Sequence, residues 1–312
     1  NYIPTFLGWL NLVGWLSVNV VTGTLTFLSL FGVFGWKQSE LLTLVSLAVF
    51  SALIIVCSIF GHDTLVKIQT FFAYVFGALT LLVLLILIPQ TDWAHLLGMK
   101  HGDWLGGFLP AVSIIIAGTS ISWSIAAADY SCYQHPDQSS RSVFASVTFG
   151  GFIPLFFIMG VGVLISTSVP ELASSSNPID VIRQALPDWM AVPYFITALG
   201  GLIPQCIISL KSARVNLETL NIRVSNAVAI LIHALIMIGI PVYVLFVSQD
   251  FLWNFQLFLA TLGIGLAAWA ATFLADYARI RNRAGYDPDL LQNPDANRIN
   301  LKGVISWLAG VV

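Results

Sequence analysis

The sequence predicts an all-α integral membrane protein, and three observations carry that prediction. Of 312 residues, 57% are hydrophobic and only 9% charged, against roughly 25% charged in an ordinary soluble domain. The charges also cluster, leaving 1–36, 41–61, 68–91, 104–128, 142–170, 189–210, 224–249 and 251–275 free of Asp, Glu, Lys and Arg. Each of these runs can hold a helix of about 20 residues, the length that crosses a hydrocarbon core. In hydrocarbon, backbone polar groups must be paired within the protein, which a helix achieves inside its own segment. We therefore place eight spans at about 6–30, 41–60, 68–88, 105–128, 143–167, 191–210, 226–247 and 252–275, all in one transmembrane domain, 1–312. A further uncharged run, 303–312, reads as the start of another span.

The chain has no initiating Met, no basic leader and an apolar span at once after Asn1-Tyr2-Ile3-Pro4. We expect an internal fragment of a longer membrane protein. The net charge of −2 points to no class of partner, and nothing suggests nucleic-acid binding or an obligate protein partner. Cys57, Cys132 and Cys206 are scattered without metal or redox spacing, so we expect neither a metal nor a cofactor.

Polarity is concentrated in some spans. The first carries Trp15 and Asn19, four residues apart and therefore on one helix face. An aromatic ring and an amide on one stripe suit a flat polar ligand; packing and an interhelical hydrogen bond are the alternative. The second and third spans are aliphatic scaffold. Residues 89–103 form a loop whose Trp93, with the adjoining Trp104, suits the membrane interface.

The fourth span ends in the most unusual stretch, Gly118-Thr119-Ser120-Ile121-Ser122-Trp123-Ser124, before Asp129 leads the chain to water. Hydroxyls in mid-span are costly against lipid unless they meet protein, water or ligand. The stretch reads either as a cavity lining or as a helix contact made by small residues.

Gly150, Gly151, Pro154, Gly160 and Gly162 give the fifth span the means to pack closely or bend. The 169–188 connection contains Asn177-Pro178-Ile179-Asp180, a short helix capped at Asn177. The sixth span holds Gln205 and Ser209, again at i, i+4, beside Pro204. The seventh holds His233, and an ionisable residue inside the membrane is a functional candidate.

Lys and Arg divide unevenly between alternate connections. Ten lie in 61–67, 129–141, 211–223 and 276–302, and three lie in 36–40, 89–103, 169–188 and 248–250. The positive-inside rule makes the first set cytoplasmic. An intramembrane enzyme would need a nucleophile–base or metal constellation, and a channel would need rings of charge or filter motifs. The sequence offers neither, so we read it as not an enzyme.

Trp123, Ala127-Ala128-Asp129-Tyr130-Ser131, and the late Asp276-Tyr277, Arg279, Arg281, Tyr286-Asp287 and Leu290 resemble the nucleobase:cation symporter family of cytosine, purine, uracil, thiamine and allantoin permeases. The resemblance runs over almost the whole chain. It implies a five-plus-five inverted repeat of the LeuT type, with substrate at the midplane against broken helices. On that pattern the chain lacks the first two helices and its C-terminal end.

The resemblance also implies a function: cation-coupled, alternating-access import of a neutral planar nucleobase across the plasma or inner membrane. A transporter of another small solute, such as an amino acid, on the same fold and an inactive truncated permease are the alternatives. By position, Trp15 and Asn19 are similar to the family's aromatic platform and amide. Ser120 is similar to its sixth-helix contact, with Gly118 and Thr119 at the break. Gln205 and Ser209 fall on the eighth-helix substrate side.

Departures from the pattern are Cys132 where an Arg is usual, the charged Lys211-Ser212-Ala213-Arg214, and Ile203-Pro204 where sodium-coupled members carry hydroxyls. The coupling ion is thus sodium or proton, with the proton favoured and His233, Asp129 or a residue in the absent helices as its carrier.

Overall fold

The computed structural model describes residues 2–58, 60–131, 134–135, 137–169, 172, 175–222, 224–285 and 300–312. Cys132, Arg223, Tyr286, Asp287 and Leu290 lie outside the described residues. Among those described, the regular structure is entirely helical. Its elements are α1 (Tyr2–Val33), α2 (Glu40–Cys57), α3 (His62–Leu87), α4 (Trp93–Gly98), α5 (Trp104–Ser124), α6 (Ala127–Ser131), α7 (Ser140–Ser168), α8 (Pro178–Gln184), α9 (Asp188–Thr219), α10 (Asn226–Val242), α11 (Phe251–Asp276) and α12 (Leu301–Val311). Eight helices are long and apolar enough to cross a membrane: α1, α2, α3, α5, α7, α9, α10 with its continuation to Ser248, and α11.

Local chemistry sets their ends. Ser39, Ser139 and Ser225 accept backbone N–H groups at the starts of α2, α7 and α10, satisfying donors that the first turn leaves open. Asn177 does the same for α8, its Oδ1 accepting from the Asp180 N–H at 3.2 Å, as the sequence leads one to expect. Just past α1, Gly35 takes a left-handed conformation (φ 79°) suited to a helix exit. The loop expected over 89–103 begins in a 3-10 turn, Ile88–Gln90, and contains a short α-helix, α4, which the Asp92 carboxylate caps at His95 N–H. α9 runs well past residue 210, and its exposed end carries an Arg214–Glu218 pair at i, i+4 (3.3 Å).

The described residues fall into two compact units. One comprises Leu12–His101 and Gln134–Phe255. Here α3 and α9 are the central pair, with α2 against α9 and α7 against α3. Among the described residues the unit's apolar cores include one of Val21, Leu25, Leu28 and Val244, and two larger ones. Leu16, Val20, Phe50, Ile54, Ile207 and Met237 make one; Val83, Leu87, Ile165, Met190 and Phe195 make the other. Between helices in lipid, apolar burial alone gives little drive, so close packing has to hold them together. Glycine supplies it at two points. A Cβ on Gly23 would fall within the ring of Phe50, and one on Gly200 would fall within the ring of Phe72. At Gly150, Gly151 and Gly162, where the sequence allows close packing or bending, nothing lies within 4 Å of a Cβ built there.

The other unit comprises Asn1–Asn11, Gly102–Tyr133 and Gln256–Val312. Its small residues let helices approach: a Cβ on Gly263 would come within 2.8 Å of Ala117 Cβ, and one on Gly310 within 3.0 Å of Ala268 Cβ. The Trp307 indole N–H donates to the Gly265 carbonyl at 3.0 Å, tying α12 to α11.

Candidate functional site

In the larger unit, Trp15 and Asn19 lie one turn apart on α1. The Trp15 ring is half-buried and meets Phe255 edge to face, with centroids 5.8 Å apart at 73°. Such a contact fixes the indole plane. Asn19 is 8% exposed, and its side-chain amide makes no hydrogen bond among the described residues. On α9, Gln205 is half-buried and Ser209 fully buried. Their immediate neighbours Cys206 and Ile207 pack with Leu16 and Val20 of α1 and Met237 of α10. The helices that carry the two polar pairs and His233 thus share one core.

His233 is 1% exposed, with Nδ1 2.7 Å from the Ala229 carbonyl oxygen. A carbonyl only accepts, so Nδ1 carries the hydrogen. Around Pro204 the helix stays regular, and neither Pro204 nor Ile203 brings a side-chain oxygen.

In the smaller unit, the predicted polar stretch is a place where α5 changes geometry. Residues Ala117–Ile121 form a π-helical turn, followed by a short α-helical segment, Ser122–Ser124. The helix widens here rather than unwinding. Gly118 faces α11, where a Cβ would meet Leu259 at 3.3 Å, so this position makes a small-residue helix contact. Thr119 and Ser120 turn their hydroxyls elsewhere. The Thr119 hydroxyl donates to the Ile115 carbonyl at 2.6 Å and lies 3.3 Å from the Ser120 hydroxyl, and Ser120 is exposed. Asp129 is half-buried in α6.

Sequence reasoning missed Asn11. Its Nδ2 donates to the Ser122 carbonyl at 2.7 Å, in a spot where Asn11 is 2% and Ser122 3% exposed. That carbonyl is available because Ala126 N–H turns to the Trp123 carbonyl instead of the α-helical partner four residues back. Asn11 Oδ1 and Ser122 Oγ are both buried without a partner. The signal was present: Asn11 lies one turn before Trp15, extending the same stripe to three residues. Among the described residues, no three His, Cys, Asp or Glu side chains converge as metal ligands.

Eight apolar spans among the described residues, carrying buried amides, hydroxyls and a π turn, define a multi-pass membrane protein. Comparison with known proteins makes this particular. The family described as "Permease for cytosine/purines, uracil, thiamine, allantoin" matches residues 1–312, and the chain belongs to that family, which consists of permeases rather than enzymes.

It is 30% identical over 126 residues to the purine-cytosine permease FCY2 of Saccharomyces cerevisiae, covering 39% of this chain and 20% of that protein. It is 24% identical over 246 residues to the putative purine-cytosine permease YxlA of Bacillus subtilis, covering 74% of this chain and 51% of that one. The chain therefore spans about half or less of the curated relatives it matches. No solved structure matches.

Proposed function

We propose that the full-length protein is a secondary transporter that carries a neutral planar nucleobase or related heterocycle by cation-coupled alternating access. The observation that supports this best is the pair on α1. Trp15 offers an aromatic face held in place by Phe255, and Asn19, one turn on, offers a buried amide with no hydrogen bond among the described residues. An unpartnered amide in an apolar helix is costly, and a base edge carrying both donors and acceptors would satisfy it. Gln205 and Ser209 on α9 are the other residues of the larger unit that we assign to substrate. The family and the printed names of both relatives favour purines and cytosine within the heterocycle class. The architecture we infer is the five-plus-five inverted repeat.

Coupling is read as protonic rather than sodium-driven. A sodium ion needs several oxygen ligands, and Ile203 and Pro204 offer only backbone ones. His233 or Asp129 would carry the proton, with no cofactor.

The test is uptake of radiolabelled cytosine and adenine by the full-length protein in proteoliposomes, with pH and sodium gradients imposed separately. Uptake driven by the pH gradient is expected. Absence of uptake of either base overturns the substrate class, whereas uptake driven by sodium and indifferent to pH overturns only the coupling.

A further inference from the structure

The end of α11 has no part in the transport site, yet it carries the late motif Asp276-Tyr277, Arg279 and Arg281. Past Asp276 the helix widens into a π turn, Tyr277–Arg281, and continues as Asn282–Ala284 before the chain leaves it at Gly285, whose φ is 71°. Arg279, Arg281 and Arg283 all fall in this last stretch. Asp276 is the one acidic residue between positions 251 and 285, and Arg281 engages it, its Nε–H donating to the carboxylate at 3.4 Å. Arg279 and Arg283 are exposed and make no hydrogen bond or ion pair among the described residues.

Two features of this end point to a ligand. Arg279 and Arg283 are four residues apart and so share one helix face, where like charges repel. The helix dipole favours a cation at a C-terminus but does nothing to relieve that repulsion, which an anion seated between the two guanidinium groups does. The second feature is an apolar stripe leading up to them. Phe273, Tyr277 and Ile280 recur at helical spacing and are 43%, 43% and 53% exposed, with the adjoining Leu274 at 61%. The exposed surface of α11 thus passes from apolar side chains to arginines without an acidic partner within about three turns.

We infer that the end of α11 is a binding surface for an anionic phospholipid, its acyl chain along Phe273, Leu274, Tyr277 and Ile280 and its phosphate at Arg279 and Arg283. A lipid uses the apolar stripe as well as the cations, whereas a soluble anion uses the cations alone. All three basic residues here are Arg, although the chain places Lys at 67, 211 and 302. Topology is set by either residue alike, but the planar guanidinium fork meets two phosphate oxygens at once and an ammonium does not. Two cations without an acidic partner favour a phosphate whose headgroup carries no compensating cation, as in phosphatidylglycerol, over phosphatidylcholine. By the distribution of Lys and Arg, residues 276–302 lie on the cytoplasmic side, where the leaflet is rich in anionic lipid. The inference uses none of the residues assigned to transport.

The experiment titrates the purified full-length protein, in a neutral detergent, with phosphatidylglycerol and separately with phosphatidylcholine, reading bound lipid by native mass spectrometry. Phosphatidylglycerol should bind at least tenfold more tightly. Arg279→Gln/Arg283→Gln should abolish that preference, and Arg214→Gln, which removes an exposed arginine paired with Glu218, should keep it. Arg279→Lys/Arg283→Lys preserves the charge, and with it the membrane topology, but should bind phosphatidylglycerol at least threefold more weakly through loss of the fork. Equal affinity for the two lipids overturns the inference, as does a preference that survives Arg279→Gln/Arg283→Gln or undiminished binding in Arg279→Lys/Arg283→Lys. Displacement of phosphatidylglycerol by an equal concentration of inorganic phosphate marks a site for a soluble anion and overturns it too.

Discussion

The side-chain amide of Asn11 donates to the carbonyl oxygen of Ser122 at 2.7 Å, joining positions 111 residues apart at the point where α5 leaves regular geometry. A carbonyl released by an irregular helix turn has to be satisfied inside the protein when no water is at hand. Asn11 supplies the donor from another helix. Asn11→Leu, similar in size but without a donor, should therefore destabilise the protein by about 1–3 kcal/mol. Thermal unfolding in detergent measures this. An unchanged midpoint would mean that the carbonyl finds another partner.

Glycines of one sequence type have different roles in the structure. Gly23→Ala and Gly200→Ala drive a methyl into Phe50 and Phe72, and overpacking of this kind costs about 1–3 kcal/mol. Gly150→Ala meets nothing within 4 Å and should be neutral or slightly stabilising. Shortening the ring in Gly23→Ala/Phe50→Leu should recover part of the loss. Unfolding midpoints of the four variants decide the matter, and equal midpoints for Gly23→Ala and Gly150→Ala would contradict the packing described.

Trp15→Ala should weaken cytosine uptake through KM. The stacking loss is about 1–3 kcal/mol, or roughly 5- to 150-fold, if base–aromatic values transfer. Trp15→Phe should recover most of it. Val49→Ala, on an exposed face of α2, is the control and should leave uptake unchanged. Asn19→Ala should alter the ratio of cytosine to adenine uptake, because bases differ in the edge they present to an amide. Equal uptake by Trp15→Ala and Val49→Ala at equal membrane abundance would remove the platform role.

The distribution of Lys and Arg makes a prediction about sidedness within the larger unit. Cysteines at Lys37 and Arg214, both exposed, should label from opposite faces of the membrane, with Lys37→Cys open to an impermeant maleimide on intact cells. Labelling of Arg214→Cys alone from outside would invert the assigned orientation, and labelling of both from outside would refute the placement on opposite faces.

The spans were legible in the sequence because hydrocarbon imposes a rule that one dimension can express: about twenty residues without charge. The Asn177 cap was legible for a similar reason, since donor and acceptor lie three residues apart. What decides the interior was hidden. Nothing near Gly23 announces Phe50, and nothing near Gly150 announces empty space, so two glycines that read alike differ wholly in consequence. Gly118 illustrates the same limit. Its neighbours suggested a cavity lining, and the contact it makes with Leu259 is the packing alternative. Of the candidate site, the stripe Trp15–Asn19 could be read from helical spacing. Asn11 could be seen only once Ser122 was known to present a free carbonyl.

The turn at Ala117–Ile121 changes how α5 must be counted. Each residue of an α-helix advances about 100° around the axis, and a π turn absorbs an additional residue without adding a full turn. Positions from Ser122 onward therefore stand about a quarter-turn away from where a helical wheel drawn from Leu109 would put them. An alignment with a relative whose helix is regular here needs a one-residue gap, or every facing beyond it is misassigned. Deleting a single residue between 117 and 121 would swing the Ser122 carbonyl away from Asn11 while leaving the composition of the span almost unaltered.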